Sequence, residues 1–462
     1  MVMALAGRKE VALEQKIDGL AAEFKHWIDE TEKDKEFEKH NTQIRALTGH
    51  LSGLWGQTQA IFEEAKKEGT LLAEARNLES LVLGLRRIWE FFRSKLVQRR
   101  DPKMRQFLRV ADELSWACYK PVLDLCQLTQ RRQPPLVFLN GGLSPYALSR
   151  DQAFQAEDVP GEVLTGQTYD PILQHLPIPV IGIPWYQAAH LPDLPVVAHE
   201  TGHAVEQDFG LHELVLGNLK LKFGEGSPHL GHWEAWSKEV FADLWGCLTL
   251  GPAYASSLVD FLAADHSVIE NEVATAQGKY PTAHLRVLLC AKALELMEFK
   301  ERSDALRSEW EAEYKQHAMD DFYKDVTAVT EAILCTTLAR PGLTKPLLDI
   351  EELRFTAKYL DWAMAGAGEA EQGKLLESVT TITVWTAAAR HLYDKSPEAY
   401  VRERCDRSLL TFAETLIKPG TRAGEAVTDE STKQEIFKES VQSGAEWFED
   451  FAKWVNAPAS VK

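Results

Sequence analysis

The sequence predicts a mainly α-helical protein with one small β element. Apolar residues recur at helical spacing through residues 10–130 and again from residue 303 onward, whereas the part between them has short apolar runs beside prolines and glycines, typical of strands and turns. The chain has 462 residues, more than one compact core usually holds. We therefore predict three consecutive regions: an N-terminal helical bundle or coiled-coil region (1–133), a central core with the β element (134–302) and a C-terminal helical region (303–462).

Composition argues against two classes of partner. The chain carries 69 acidic and 51 basic residues and a net charge of −18, which repels nucleic acid and anionic membranes. Its N-terminus lacks the apolar core of a signal peptide, and no stretch approaches the ~20 apolar residues of a membrane span. Six cysteines without a CxxC pair are expected to be reduced and mostly buried. We expect no nucleic-acid partner, no membrane span and a cytoplasmic location.

The N-terminal region carries two apolar stripes with spacings of three and four residues. The first stripe comprises Leu13, Ile17, Leu20, Phe24 and Trp27, and the second comprises Leu78, Leu81, Leu85, Ile88 and Phe92. Each stripe needs a partner helix. A bundle that packs on itself is favoured over a dedicated coiled coil because the heptad runs are short. Self-association, or binding of another protein through these helices, stays open.

The stretch VVAHETGHAVEQDFG at residues 196–210 is the most informative part of the sequence. Asp193 can cap a helix, Pro195 suits its first turn, and Gly210 is a natural stop. These signals predict a helix over 194–209.

That helix would place His199 and His203 on one face, about 5–6 Å apart at Cβ, so that both imidazoles can bind one zinc ion. Glu200 would lie beside them, where its carboxylate can take a proton from metal-bound water. Gly202 costs about 0.8–1 kcal/mol relative to alanine in a helix interior, and close packing against a second helix is the expected reason for it. The alternative is an ordinary helix that happens to carry two histidines.

A third zinc ligand can be sought downstream. A metzincin would have histidine six residues after His203, but residue 209 is phenylalanine. Glu239 and Asp243 lie one turn apart in a predicted helix, where Glu239 can bind zinc and Asp243 can accept a hydrogen bond from a ligand histidine. Their apolar neighbours argue against a solvated acidic face, because buried carboxylates need partners. Glu234 is a rival ligand, although no acid follows it four residues later.

The pair HETGH and EVFAD resembles the gluzincin zinc metallopeptidases, in particular soluble relatives of the CAAX prenyl protease and heat-shock membrane protease group, which pair HExxH with ExxxD. Those enzymes also carry a His-Pro dipeptide and, six residues after that histidine, an arginine. This chain has KYPTAHLRVLL, with Tyr280 at the histidine position and Arg286 six residues later. The resemblance covers roughly residues 175–300. It implies that Tyr280, or alternatively His284, hydrogen-bonds the oxyanion, and that Arg286 pairs with Asp243 or another acid of the site.

The resemblance implies a gluzincin-like core and a zinc metalloendopeptidase-like hydrolase acting on peptides or proteins. One Zn²⁺ per chain would be held by His199, His203 and Glu239, and Glu200 would be the general base. An edge strand over 178–184 would pair with the substrate, although a buried connecting strand is equally compatible with the sequence. The competing hypothesis is a helical scaffold or sensor with a structural or inactive zinc site.

Overall fold

In a computed structural model of the chain, the structure describes residues 4–126, 132–148, 178–224, 226–272, 278–314, 320–374, 377–418 and 430–456. These residues are mainly helical and include one small three-stranded sheet, which confirms the predicted fold class at that level. No helix within these ranges is long and apolar enough to cross a membrane.

The α-helices are α1 (Leu5–Lys33), α2 (Asn41–Glu68), α3 (Leu71–Leu96), α4 (Pro102–Leu125), α5 (Val196–Asp208), α6 (His212–Phe223), α7 (Leu230–Leu250), α8 (Pro252–Leu262), α9 (His266–Ile269), α10 (Ala283–Leu296), α11 (Lys300–Glu313), α12 (Asp320–Tyr323), α13 (Val326–Leu334), α14 (Ala357–Glu371), α15 (Ile382–Lys395), α16 (Pro397–Arg402), α17 (Cys405–Leu416), α18 (Glu430–Glu446) and α19 (Phe448–Asn456). The strands are β1 (Leu136–Asn140), β2 (Tyr146–Leu148) and β3 (Val180–Pro184). Short 3₁₀ helices cover Lys35–His40, Val97–Arg100, Trp185–Ala189, Leu191–Asp193 and Leu347–Asp349.

The contacts divide the chain into two compact units that are not consecutive in sequence. The first unit contains α1–α3 together with α18 and α19, and the second contains most of α4, most of the sheet and α5–α17. One division between the units lies inside α4, near residue 105. The last two helices pack with α2 and α3 of the first unit.

In the first unit, α1, α2 and α3 pack on one another, and all ten residues of the two apolar stripes are buried. This arrangement is the self-packed bundle that the short heptads favoured. Helix α18 lies against α2 at very close range. A Cβ at Gly53 would overlap the backbone oxygen of Val441, and one at Gly444 would overlap the oxygen of His50. Glycine at both positions therefore lets the two helix backbones touch.

In the second unit, the strand order is β1-β3-β2, so β3 is the central strand. The prediction of an edge strand over 178–184 is therefore wrong, and so is the idea that a peptide pairs with it. Pro179 precedes β3 and Pro184 is its last residue, so neither proline interrupts the ladder. Gly182 in mid-strand lies where a Cβ would come within 2.7 Å of the Tyr146 ring of β2.

Helix α5 packs directly on α7, as the glycine in its interior predicted. A Cβ at Gly202 would lie 3.0 Å from Cβ of Trp245 and 3.1 Å from Cα of Ala242. The helix spans Val196–Asp208, slightly shorter than predicted. Asp193 does not cap it but ends a 3₁₀ helix, so the predicted N-cap is wrong.

All six cysteines are free, as expected for reduced thiols. Cys118, Cys126, Cys247 and Cys290 are buried, whereas Cys335 is exposed just after the end of α13. The three residues before it, Ala332, Ile333 and Leu334, are buried.

Candidate metal centre

Three side chains converge at the contact between α5 and α7. The ligand atoms of His199, His203 and Glu239 all lie within 4.8 Å of one another. Oε2 of Glu239 is 3.4 Å from Nε2 of His199 and 3.5 Å from Nε2 of His203. These distances exceed those of ordinary N–H···O hydrogen bonds, about 2.7–3.2 Å. In a tetrahedral zinc site with bonds of about 2.0–2.1 Å, ligand atoms lie about 3.3–3.4 Å apart. The two distances from Glu239, and the two imidazoles and one carboxylate as donors, therefore fit a zinc ion.

The carboxylate of Asp243, fully buried one turn beyond Glu239, fixes the orientation of His199. Its Oδ1 is 2.9 Å from Nδ1 of His199 and accepts hydrogen bonds from Tyr254 (2.6 Å) and from Nη2 of Arg286 (2.8 Å). Its Oδ2 accepts from Nε of Arg286 at 2.7 Å. Burial would raise the pKa of Asp243, but Arg286 and the other donors hold it below its usual range. With Nδ1 of His199 occupied in this way, its Nε2 faces the cluster.

The electrostatics of the cluster suit cation binding. Burial lowers the pKa of His199, but the carboxylates of Asp243 and Glu239 outweigh burial and raise it to about 10. An ion that binds here therefore displaces a proton from His199. Burial likewise raises the pKa of Glu239, but the two histidines outweigh it and hold that pKa well below its usual range. Glu239 is accordingly an anion.

Glu200 lies beside the three ligands and is only 4% exposed. Burial is the main cause that raises its pKa, and the negative charge of Glu239 acts in the same direction. A carboxylate with a raised pKa is a better proton acceptor near neutral pH.

A cavity of about 680 Å³ lies beside His199 and Glu200, within the second unit. His199 and Glu200 form part of its lining, together with Tyr280 and Arg286. The Tyr280 side chain is 50% exposed, and its ring lies 5.7 Å from the guanidinium of Arg286. Burial in the cleft and then the charge of Glu239 raise the pKa of Tyr280, so its hydroxyl keeps a proton to donate.

The alternative site residues that the sequence left open lie in different surroundings. His284 is not among the lining residues of this cavity; its Nδ1 accepts a hydrogen bond from Trp310 at 2.8 Å. The rival ligand Glu234 pairs with Lys220 at 3.2 Å and is not part of the cluster. The expected pairing of Arg286 with Asp243 is present.

Two residues at the site, Tyr254 and Lys279, were not predicted from the sequence. Tyr254 comes from α8, eleven residues after Asp243, a separation to which no spacing rule applies. The sequence feature that relates to its position is Gly246 in α7, because a Cβ there would lie 2.6 Å from the Tyr254 ring. The ammonium of Lys279 lies 3.7 Å from Oε1 of Glu239, although this side chain is 65% exposed. Nothing in the sequence around Lys279, which precedes the Tyr-Pro dipeptide, predicts that its side chain lies at the site.

Comparison with known proteins gives no relative: no protein-family model, curated protein sequence or solved structure matches the chain significantly.

Proposed function

We propose that this protein is a zinc-dependent metallopeptidase of the gluzincin type. The observation that carries the proposal is the convergence of the ligand atoms of His199, His203 and Glu239 beside the buried Glu200, with His199 and Glu200 lining an open cavity. A structural zinc site is normally closed by four protein ligands, whereas a catalytic site has three and leaves one position for water or substrate. Three ligands beside a cavity support the catalytic interpretation.

Each residue then has a defined task. A zinc ion, when bound, supplies Lewis acidity and lowers the pKa of water toward about 7. Glu200 accepts the proton of the attacking water on its carboxylate and passes it to the nitrogen of the leaving amine. The Tyr280 hydroxyl donates a hydrogen bond to the peptide carbonyl oxygen as negative charge develops on it. Asp243 holds the His199 ring in place.

The free thiols support a reducing, cytoplasmic setting as part of the same proposal. The helical scaffold or sensor remains the competing function. It predicts a metal ion bound without any hydrolysis, and zinc binding and peptide cleavage should therefore be measured on the same preparation.

The decisive variant is Glu200→Gln, which keeps the shape of the side chain but removes the base. We expect zinc content and folding to be retained and kcat for a peptide library to fall about 10²- to 10⁴-fold. Glu206→Gln is a matched control, because Glu206 is a buried glutamate of the same helix that contacts His212 rather than the cluster. Undiminished cleavage by the Glu200 variant refutes the mechanism. Zinc binding without cleavage of any unfolded or peptide substrate favours the scaffold.

A further inference from the structure

Large apolar side chains line the cavity yet remain open to solvent. Leu143 is 82% exposed, Tyr280 50%, Tyr186 44% and Phe261 42%. Isolated exposed apolar residues are common on protein surfaces, but a group of them around one cleft marks a binding surface. We call these four residues the apolar rim.

The apolar rim is built from separate segments that the fold holds in place. Leu143 lies in the turn before β2, and its carbonyl oxygen accepts a hydrogen bond from the Tyr186 hydroxyl at 2.5 Å. Phe261 belongs to the last turn of α8, and Tyr280 lies shortly before α10. The rim therefore exists before any ligand arrives, which lowers the entropic cost of binding.

The charges of the same cavity are predominantly negative. Besides Glu200, its lining includes Asp193, Asp260 and Glu272. Arg286 is the one lysine or arginine among the described lining residues, and its guanidinium is engaged by Asp243.

Two basic groups lie at the cleft: His190 pairs with Asp193, and the ammonium of Lys279 lies 3.7 Å from Oε1 of Glu239, but neither contact involves Asp260 or Glu272. Arg390 pairs with Asp260 at 2.5 Å, but it also pairs with Asp394 at 2.7 Å, so these three groups together carry one net negative charge. The Asp260 side chain is 45% exposed and so accessible to a ligand. Oε2 of Glu272 accepts a hydrogen bond from the backbone N–H of Ala283 at 2.7 Å, which fixes its position without neutralising it.

We propose that the cleft selects extended peptides in which a bulky apolar residue lies next to a lysine or arginine. The apolar residue would pack on the rim, and the cation would lie near Asp260 and Glu272. This inference deepens the proposed peptidase function and rests on it, because it assigns the substrate class to the same site. Burial of apolar area supplies affinity, and complementary charge supplies selectivity and a faster encounter.

The test measures binding separately from cleavage. The Glu200→Gln protein, loaded with zinc, is titrated against three fluorescent peptides of one length: one with leucine beside lysine, one with leucine beside glutamate, and one with serine beside lysine. We expect the first peptide to bind about tenfold more tightly than either of the others at low salt. Its advantage over the glutamate peptide should shrink at high salt, because the charges are exposed.

Leu143→Ser, introduced into the Glu200→Gln protein, should weaken binding of the leucine–lysine peptide about fivefold or more. At 82% exposure, Leu143 can be replaced without disturbing the core. Leu221→Ser is the matched control, since Leu221 is 84% exposed on α6 and is not among the lining residues; it should leave binding unchanged.

Equal binding of the three peptides, no binding of any of them, or equal effects of the two leucine variants overturns the inference. Cleavage of the leucine–lysine peptide by the wild-type protein is scored independently. Selective binding without wild-type cleavage refutes the proposed peptidase function but supports the proposed peptide-binding surface. Cleavage without selective binding supports the peptidase function and refutes the proposed substrate preference.

Discussion

Replacing Tyr254 by phenylalanine removes one hydroxyl from the proposed metal centre and almost nothing else. That hydroxyl donates to Oδ1 of Asp243 at 2.6 Å and lies 3.1 Å from Nδ1 of His199. The aromatic ring fills the space beside Gly246, and phenylalanine keeps that packing. The variant therefore isolates the contribution of a single hydrogen bond to the carboxylate that orients a proposed zinc ligand.

The expected magnitude follows from the other donors to Asp243. A hydrogen bond to a charged group contributes about 1.5–3 kcal/mol. Because Arg286 and His199 still satisfy the Asp243 carboxylate, we expect the free energy of unfolding of the metal-free protein to fall by only about 1.5 kcal/mol. Loss of a partner that supports a metal ligand typically costs 10- to 100-fold in metal affinity, and we expect about tenfold here because Asp243 itself remains.

The assay combines denaturant unfolding after chelation with zinc affinity measured by competition against a chromogenic chelator. Tyr119→Phe is the control, because the Tyr119 hydroxyl donates to the buried Asp208 at the same distance of 2.6 Å, away from the three proposed ligands. Both variants should lose similar stability, but only the Tyr254 variant should bind zinc more weakly. Unchanged zinc affinity in that variant, or equal weakening in both, would refute the reasoning.

Two further predictions concern the packing and the titration of groups around the centre. Gly202→Ala should destabilise the protein by up to about 2 kcal/mol, because overpacking against α7 costs about 1–3 kcal/mol and the higher helix propensity of alanine offsets about 1 kcal/mol of it. Gly217→Ala, where a Cβ meets nothing within 4 Å, should instead be neutral or stabilising in the same denaturant experiment, and equal gains in both would contradict the close contact. The Asp193 carboxylate, 3.0 Å from Nδ1 of His190, raises the pKa of His190 above 6.5, so its stabilising contribution is full below pH 6.5 and is lost as pH rises through the folded pKa. NMR titration of His190 should show this shift, and Asp193→Asn should remove most of it, leaving the smaller effect of Asp406; an undiminished shift in the variant assigns the effect to another group.

Local patterns in the sequence predicted the features that depend on one helix at a time. The apolar stripes of α1 and α3, the face shared by His199 and His203, and the close approach at Gly202 all follow from a period of 3.6 residues and the absence of a side chain. Spacing alone also placed Asp243 one turn after Glu239. These relations are short in sequence, so helix geometry determines them directly.

Features that depend on contacts between distant segments could not be predicted from local sequence patterns. Apolar runs and flanking prolines identify β3 as a strand but do not reveal its neighbours, and the strand proved to be central. The pairing of α2 with α18 joins residues nearly four hundred positions apart, and only the glycines at positions 53 and 444 hint at it. Tyr254 was missed for the same reason: its contacts are tertiary.

The hydrogen bonds around Asp243 hold the proposed ligand His199 in place. They join α5, α7, α8 and α10 through His199, Asp243, Tyr254 and Arg286. Each buried charge in this set has a partner of opposite charge or a hydrogen-bond donor. Close helix contact at Gly202 sets the distance between α5 and α7. Ligand geometry is thus a property of helix packing, which is the preorganisation that a site for metal-assisted hydrolysis requires.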